Sequence, residues 1–374
     1  MTNDMTRGRI LPQLISFTIP LVLGNLFQLT YNAADSMIVG RYLGGQALAA
    51  VGTAGPIMNL AILFISGMCM GAGILMSTQY GAKQQDVLER QISTTLLSGL
   101  VFSFFVTLSM MVLAKPVLTL IRVPEEILDS ACGYLRIIFT GFLFTFAYNF
   151  FSSTLRALGD SKASLYFLVI SSVFNIAGDL LFVAVFRWGV NGSALATVLS
   201  QMICCLCCMI YIQKKVPLLR LGKRWLIFDK CLLSRTFSFG ITSALQLMCV
   251  QLGKVCVQSM VNMQGIAFMA AFTAVNRIDD FALTPQQNIA HAATTFMAQN
   301  KGAGQEKRMK QGFFCGVLVE LCYTAAVGSC VFLFAEPIMK LFLPEESAEV
   351  IVLGVTYLHL ISFLYLLSLS LIHI

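Results

Sequence analysis

Charge is what this sequence has least of. Only 11% of its 374 residues are Asp, Glu, Lys or Arg, whereas soluble domains carry roughly 25%. A chain so poor in charge cannot make a water-facing surface, so a soluble globular protein is excluded and lipid must cover it. Histidine is scarce too: there are three, and no HExxH or GxSxG run occurs. That leaves no metal or nucleophile–base constellation from which to build a membrane-embedded enzyme. No strand precedes Gly67-x-x-x-Gly71 and Gly73, so these glycines do not form a phosphate loop. Within an apolar run they read as a close helix contact. The twelve cysteines are spread through apolar segments, where free Cys behaves as a small hydrophobe. Cys204, Cys205, Cys207 and Cys208 share one helix, and a single helix cannot converge four thiolates on a tetrahedral ion.

What the sequence has is hydrophobic length. Hydrophobic residues make up 57% of it, with mean hydropathy +0.80. A bilayer-crossing helix needs roughly 20 mainly apolar residues. Ten such runs are present, at 13–36, 47–76, 90–114, 127–150, 163–186, 190–212, 234–257, 266–298, 311–334 and 347–370. Arg7 and Arg9 precede the first run as in a signal peptide. That run is too long, is interrupted by Pro20, Asn25, Gln28, Asn32 and Asp35, and lacks a small-residue cleavage site, so it is expected to be retained. With the N-terminus inside, seventeen Lys and Arg fall in cytoplasmic segments, Arg156 among them, against five on the other side. This bias sets the orientation expected of a multi-pass protein of the bacterial cytoplasmic membrane. It also explains the net charge of +7 without a nucleic-acid partner.

The sequence repeats itself. Gly45, Ala47, Ala50, Thr53, Ala54, Ala72 and Gln79 recur without a gap as Gly265, Ala267, Ala270, Thr273, Ala274, Ala292 and Gln299. Gln79-Tyr80-Gly81-Ala82-Lys83 parallels Gln299-Asn300-Lys301-Gly302-Ala303-Gly304, Pro124-Glu125-Glu126 answers Pro344-Glu345-Glu346, and Tyr134 answers Tyr357. Six runs separate the copies, so both enter the membrane in the same direction and a substrate site is expected between them. The expected fold is an all-α polytopic membrane protein of two pseudo-symmetric six-helix bundles. The first spans 1–212, a basic linker 213–233 follows, and the second spans 234–374. That second bundle is expected to be cut short, with ten of twelve helices present. The tail around His373 reads as foreign sequence ending a truncated gene.

Ionisable residues inside a bilayer cost about 2.5 kcal/mol or more and so mark function. Asp35 and Asp179 lie deep along helices that run the same way. Tyr134 and Thr197 lie one to two turns into helices running the other way, so all four share a depth. Asn175 precedes Asp179 by four positions and shares its face. Two carboxylates in a low-dielectric cavity repel each other and resist desolvation, and a proton or Na⁺ relieves both penalties. The alternative is that both acids only cap neighbouring polar groups. Pro20 removes a backbone hydrogen bond and should kink the first helix. Lys254 reads as a snorkelling residue, Arg277 and Asp280 as an i, i+3 pair, and His291 as a packing residue. Glu320 has no evident role.

These residues resemble the multidrug and toxic compound extrusion (MATE) family. The resemblance rests on Tyr31-Asn-Ala-Ala-Asp35-Ser-Met-Ile-Val-Gly-Arg41, Arg156-Ala-Leu-Gly-Asp160, Asn175-Ile-Ala-Gly-Asp179 and Gly189-Val-Asn-Gly-Ser-Ala-Leu-Ala-Thr197. The second half adds Ala270-Ala-Phe-Thr-Ala-Val-Asn-Arg-Ile-Asp279. It implies an alternating-access antiporter that expels cationic or amphipathic drugs against H⁺ or Na⁺. Such a protein uses no cofactor beyond that ion, is not an enzyme, and is expected here as a monomer. Carried over by position, the resemblance makes Asp35, Tyr134, Asn175, Asp179 and Thr197 the coupling site and Pro20 the site of bending. Ser152 stands where some relatives have Asn. One branch of the family has acids in helices 7 and 10. Here helix 7 has Gln246 and no acid, and helix 10 has only Glu349 near its start, so coupling through the N-terminal bundle is implied. The rivals are a lipid-linked saccharide flippase, which should line its cavity with Arg or Lys for pyrophosphate, a membrane-embedded enzyme, and a pore.

Overall fold

The computed structural model describes residues 4–217, 226–264, 266–342 and 348–367. Gly265 and Pro344-Glu345-Glu346 of the repeat, part of the basic linker, and the tail with His373 lie outside these. Among the described residues the chain is all-α, without a strand. The helices are α1 (Ile10–Leu43), α2 (Gly45–Gly81), α3 (Gln85–Leu120), α4 (Glu125–Thr140), α5 (Phe142–Ala157) and α6 (Ser161–Asp179). A π-helical segment, Leu180–Val185, continues α6. There follow α7 (Gly189–Lys215), α8 (Lys230–Asn262), α9 (Ile266–Gly302), α10 (Glu306–Leu333), α11 (Ala335–Phe342) and α12 (Ala348–Leu367).

Within the described residues every apolar run falls on helix. Among the described residues eight spans are long and apolar enough to cross a membrane, or nine if α4 and α5, bent by 46° at a short break, count as one. Large side chains on their outer faces need lipid: Leu120 is 81% exposed and Val112 72%. The run 266–298 is the exception. It lies in α9, whose 37 residues have the length but not the apolarity. Its Gln286, Asn288, Gln299 and Asn300 are buried, so protein rather than lipid surrounds much of α9.

Two cores reflect the two halves. One joins side chains of α2 to α7, among them Phe139, Phe150 and Phe151, and the other joins α9 to α12 around Val275, Met339 and Leu358. Cys204, Cys205 and Cys208 fill the first core, and the Cys204 thiol donates to the Phe167 carbonyl at 3.3 Å. A third cluster, with Met5, Leu14, Phe17, Leu21, Ala292 and Phe296, ties α1 and the segment before it to α9. The repeat shows in local geometry as well. Gln84 and Gln305 each donate a backbone N–H five residues back, to Gln79 and Asn300. Between them Lys83 (φ 57°) and Gly304 (φ 70°) take the left-handed conformation that ends a helix.

The halves meet at the end of the bundle that carries Lys83, Lys214, Lys215, Lys230, Lys301 and Arg308, the basic end. Lipid tails are as apolar as the helices, so association there rests on close packing and hydrogen bonds. Both are present. A Cβ on Gly81 would lie 1.9 Å from the Gln299 carbonyl oxygen, and one on Gly302 would lie 1.9 Å from the Thr78 carbonyl oxygen. This reciprocal contact of repeated sequences admits only glycine. Gln299 extends it, donating to the Ala157 carbonyl at 2.8 Å and accepting from Met5 N–H at 3.1 Å. Arg308 donates to the carbonyls of Met5 and Gly8. Higher up, the glycine stripe packs α2 on α8 as expected: added Cβ atoms at Gly67 and Gly71 would meet Ala244 and Gly240 within 2.6 Å. Toward the opposite end Gly52 and Gly55 of α2 and Gly253 of α8 face open space. The bundle is closed at its basic end.

A bulky residue at Gly302 should therefore prevent closure. With the native cysteines removed and one cysteine placed at Thr295, Gly302→Val is expected to raise its labelling by an impermeant maleimide added at the basic end, on the order of tenfold. Arg308→Ala, which leaves the glycine contact intact, should raise it less.

Candidate functional site

Above this closure lies a cavity of about 440 Å³, walled by α1, α2, α4 to α9. Most of its polar wall belongs to the first half. On α1 the residues Pro20, Gly24, Asn25, Gln28, Tyr31, Asn32 and Asp35 all line it, the three-to-four spacing of one helix face. From Pro20 to Asp35 that face rises about 22 Å. α1 runs unbroken through Pro20, which is buried.

Asp35 marks the end of the cavity away from the closure. It accepts a hydrogen bond from the Ser193 hydroxyl of α7 at 2.9 Å. Asp179, on the last residue of α6, stands behind it, 0% exposed. The two carboxyl groups lie in contact, and the Ser193 hydroxyl is the one side-chain donor the described residues offer the pair. Two bare carboxylates cannot share so dry a place, since like charges and lost hydration both oppose it. A proton between them, or a cation, resolves the conflict. The backbone also departs from α geometry here: the π-helical segment begins at Leu180, a distortion that often accompanies functional sites.

The other expected residues gather around this pair. Asn175, one turn below Asp179, donates to the Thr197 hydroxyl at 3.3 Å, while its own oxygen has no donor among the described residues. Tyr134 is 3% exposed and lies beside both acids. Asp35, Tyr134, Asn175, Thr197 and Pro20 line the cavity, and Asp179 sits one layer behind.

The MatE family model matches residues 20–181 and 242–373. The chain belongs to the MatE family. It is 33% identical over 368 residues to the probable multidrug resistance protein YpnP of Bacillus subtilis (strain 168), covering 97% of this chain and 80% of that protein. To the probable multidrug resistance protein YoeA of the same organism it is 30% identical, covering 93% and 76%. Its fold matches that of an outward-facing multidrug resistance MATE family transporter at TM-score 0.90 and 21% identity, over 99% of this chain and 83% of that one. This MatE protein is thus a membrane transporter, not an enzyme.

Several residues go elsewhere than the sequence suggested. Arg277 and Asp280 do not pair: Asp280 binds the Lys254 ammonium at 3.2 Å. Lys254 is therefore an ion-pair member, not only a snorkelling chain. Asp279 accepts from the Tyr365 hydroxyl. Buried Glu320 accepts from Gln286 at 2.8 Å. The interior acids of the second half among the described residues thus each have a side-chain donor of their own, whereas Asp35 and Asp179 share Ser193. Asp160 caps α6 at Ala163 N–H and accepts from Tyr211. His291 lines the cavity. Arg156, counted with the cytoplasmic residues, turns inward and is the one Lys or Arg lining the cavity among the described residues.

Ser193 and Tyr31 were not singled out by the sequence. Ser193 was detectable, being four residues before Thr197 on the same face of α7. Thr197→Val is expected to remove the Asn175 partner at nearly constant volume. Unfolding in detergent should shift by no more than about 1 kcal/mol, while dye transport falls severalfold and Thr197→Ser restores it.

Proposed function

We propose that this MatE protein is a cation-coupled antiporter that exports cationic and amphipathic drugs by alternating access. The observation that carries the reading is the buried carboxylate pair, Asp35 against Asp179, at one end of a cavity sealed at the other. The moving parts are the bundles 1–212 and 234–374, with 213–233 as their cytoplasmic linker. The excess of Lys and Arg at the basic end supports a cytoplasmic N-terminus in the bacterial plasma membrane, and the cavity then faces outward.

In this state H⁺ or Na⁺ enters from outside and neutralises the pair, with Asn175, Thr197 and Tyr134 supplying polar atoms around it. The cavity loses its negative charge, bound drug loses its electrostatic partner, and the emptied cavity closes. Release of the ion inside restores the charge that attracts the next cationic drug. Each ligand shifts the equilibrium only by its differential affinity for the two states, and the pair provides that difference for both. The protein needs no other cofactor and works as a monomer. The names of its B. subtilis relatives support drugs as the cargo. A saccharide-lipid flippase fits less well, since one cavity-lining guanidinium is little to hold a pyrophosphate.

Asp35→Asn and Asp179→Asn are expected to lower gradient-driven ethidium uptake into everted vesicles, the in vitro equivalent of efflux, by at least about tenfold, with pH and Na⁺ gradients imposed separately. Whichever gradient drives the wild type is the coupling ion. Efflux that survives both substitutions rules the reading out. Where Na⁺ is the driver, it should also raise the unfolding temperature of the wild type but not of Asp179→Asn.

A further inference from the structure

The closed end of the cavity carries a charge that the coupling reading does not use. Arg156 sits on the last turn of α5 and turns into the cavity. One guanidinium nitrogen donates to the Ser152 hydroxyl at 3.0 Å, and that hydroxyl in turn bonds the Ser164 hydroxyl at 2.9 Å. Arg156 makes no other hydrogen bond and no ion pair among the described residues. The groups nearest it in the cavity are neutral hydroxyls, thiols and amides together with His291, which also makes no ring hydrogen bond to a described residue.

The acids that might have neutralised it are engaged or distant. Asp160, four residues on, caps α6 and holds Tyr211. Asp179 lies fifteen residues beyond Ser164 on the same helix, about 22 Å away along the axis. A guanidinium has five donors in a planar fork suited to a carboxylate or phosphate, and only one is spent. A charge withdrawn from bulk water with so little compensation favours an anionic partner. Thr294 and Thr295 of α9 line the same floor, where their hydroxyls donate to the Ala290 and His291 carbonyls of their own helix.

We propose that Arg156 holds an anionic oxygen of the transported solute, a carboxylate or phosphate, at the closed end of the cavity. The transporter then accepts solutes bearing an anionic group, and the acid pair at the other end answers any cationic group. This rests on the cavity being the solute site, as proposed above, but not on ion coupling.

The test uses one fluorophore in two forms: tetramethylrhodamine, which carries a free carboxylate, and its methyl ester, which does not. Both are titrated against the purified protein in phosphatidylcholine nanodiscs without any gradient, so a failure of coupled efflux cannot be mistaken for a failure here. The wild type is expected to bind the acid about 10- to 100-fold more tightly than the ester, the worth of a hydrogen-bonded charge. In Arg156→Gln that ratio should fall to near one, and in Arg156→Lys to an intermediate value, because the charge remains and the fork is lost. A wild type that shows no preference for the acid, or that binds neither dye, overturns the proposal without recourse to any variant. So does a preference that survives in Arg156→Gln. If phosphatidylglycerol in the nanodisc abolishes the preference, the arginine serves a lipid headgroup and the assignment to solute is wrong.

Discussion

The arrangement of this transporter depends on one contact, the reciprocal packing of Gly81 on Gln299 and of Gly302 on Thr78. Two stretches of repeated sequence cross there with backbone against backbone. In a bilayer no hydrophobic force pulls helices together, so the interface must come from close approach and polar bonds. The glycines permit the approach, and Gln299 and Arg308 supply the bonds. With the basic end joined, the halves enclose a cavity between them. Nothing comparable joins the described residues of α2 and α8 at the other end, where Gly52, Gly55 and Gly253 face open space.

That asymmetry gives the polar residues their meaning. Side chains that would be costly against lipid are placed where the cavity or the neighbouring half receives them. Asn25 of α1 donates to Asn288 of α9 across the halves at 3.3 Å. The interior acids of the second half have side-chain partners within it, whereas Asp35 and Asp179 have each other and one serine. An acid with its own donor is a structural group. A pair without enough donors suits the proton or sodium ion of the proposed cycle.

Much of this was legible in the sequence, for reasons that also explain what was not. Apolar length located every crossing, because a bilayer asks for little else. The break between α4 and α5 escaped, since a bend of 46° at Gly141 leaves hydropathy continuous. The shared depth of Asp35, Tyr134, Asn175, Asp179 and Thr197 followed from counting residues along antiparallel helices, and the structure does bring them together. Local spacing failed where the partner was distant. The i, i+3 rule offered Arg277 to Asp280, but the nearer cation in space is Lys254, twenty-six positions back in sequence. The inward turn of Arg156 was not legible for a related reason: a long side chain on a last turn can face either the aqueous edge or the interior, and hydropathy does not see direction.

The helix α1 connects the two ends. At one end it carries Asp35, at the other it follows the segment whose Met5 is locked to Gln299, Asn300 and Arg308. Its 34 residues span about 51 Å. Between the ends stands Pro20, which has no N–H to give the Ser16 carbonyl, so bending there sacrifices no hydrogen bond at that position. A rigid helix would move Asp35 and the latch as one body. A helix weak at one point can tilt its acidic part while its basic part stays clamped, or release the clamp while the acid stays seated. Neutralising the acid pair in the proposed cycle removes a repulsion on α1 only beyond Pro20, whereas opening the basic end of the bundle in that cycle frees α1 from α9 chiefly around Leu14, Phe17 and Leu21, with the Asn25 bond to Asn288 beyond. The proline is therefore placed where the two events can be coupled without being simultaneous.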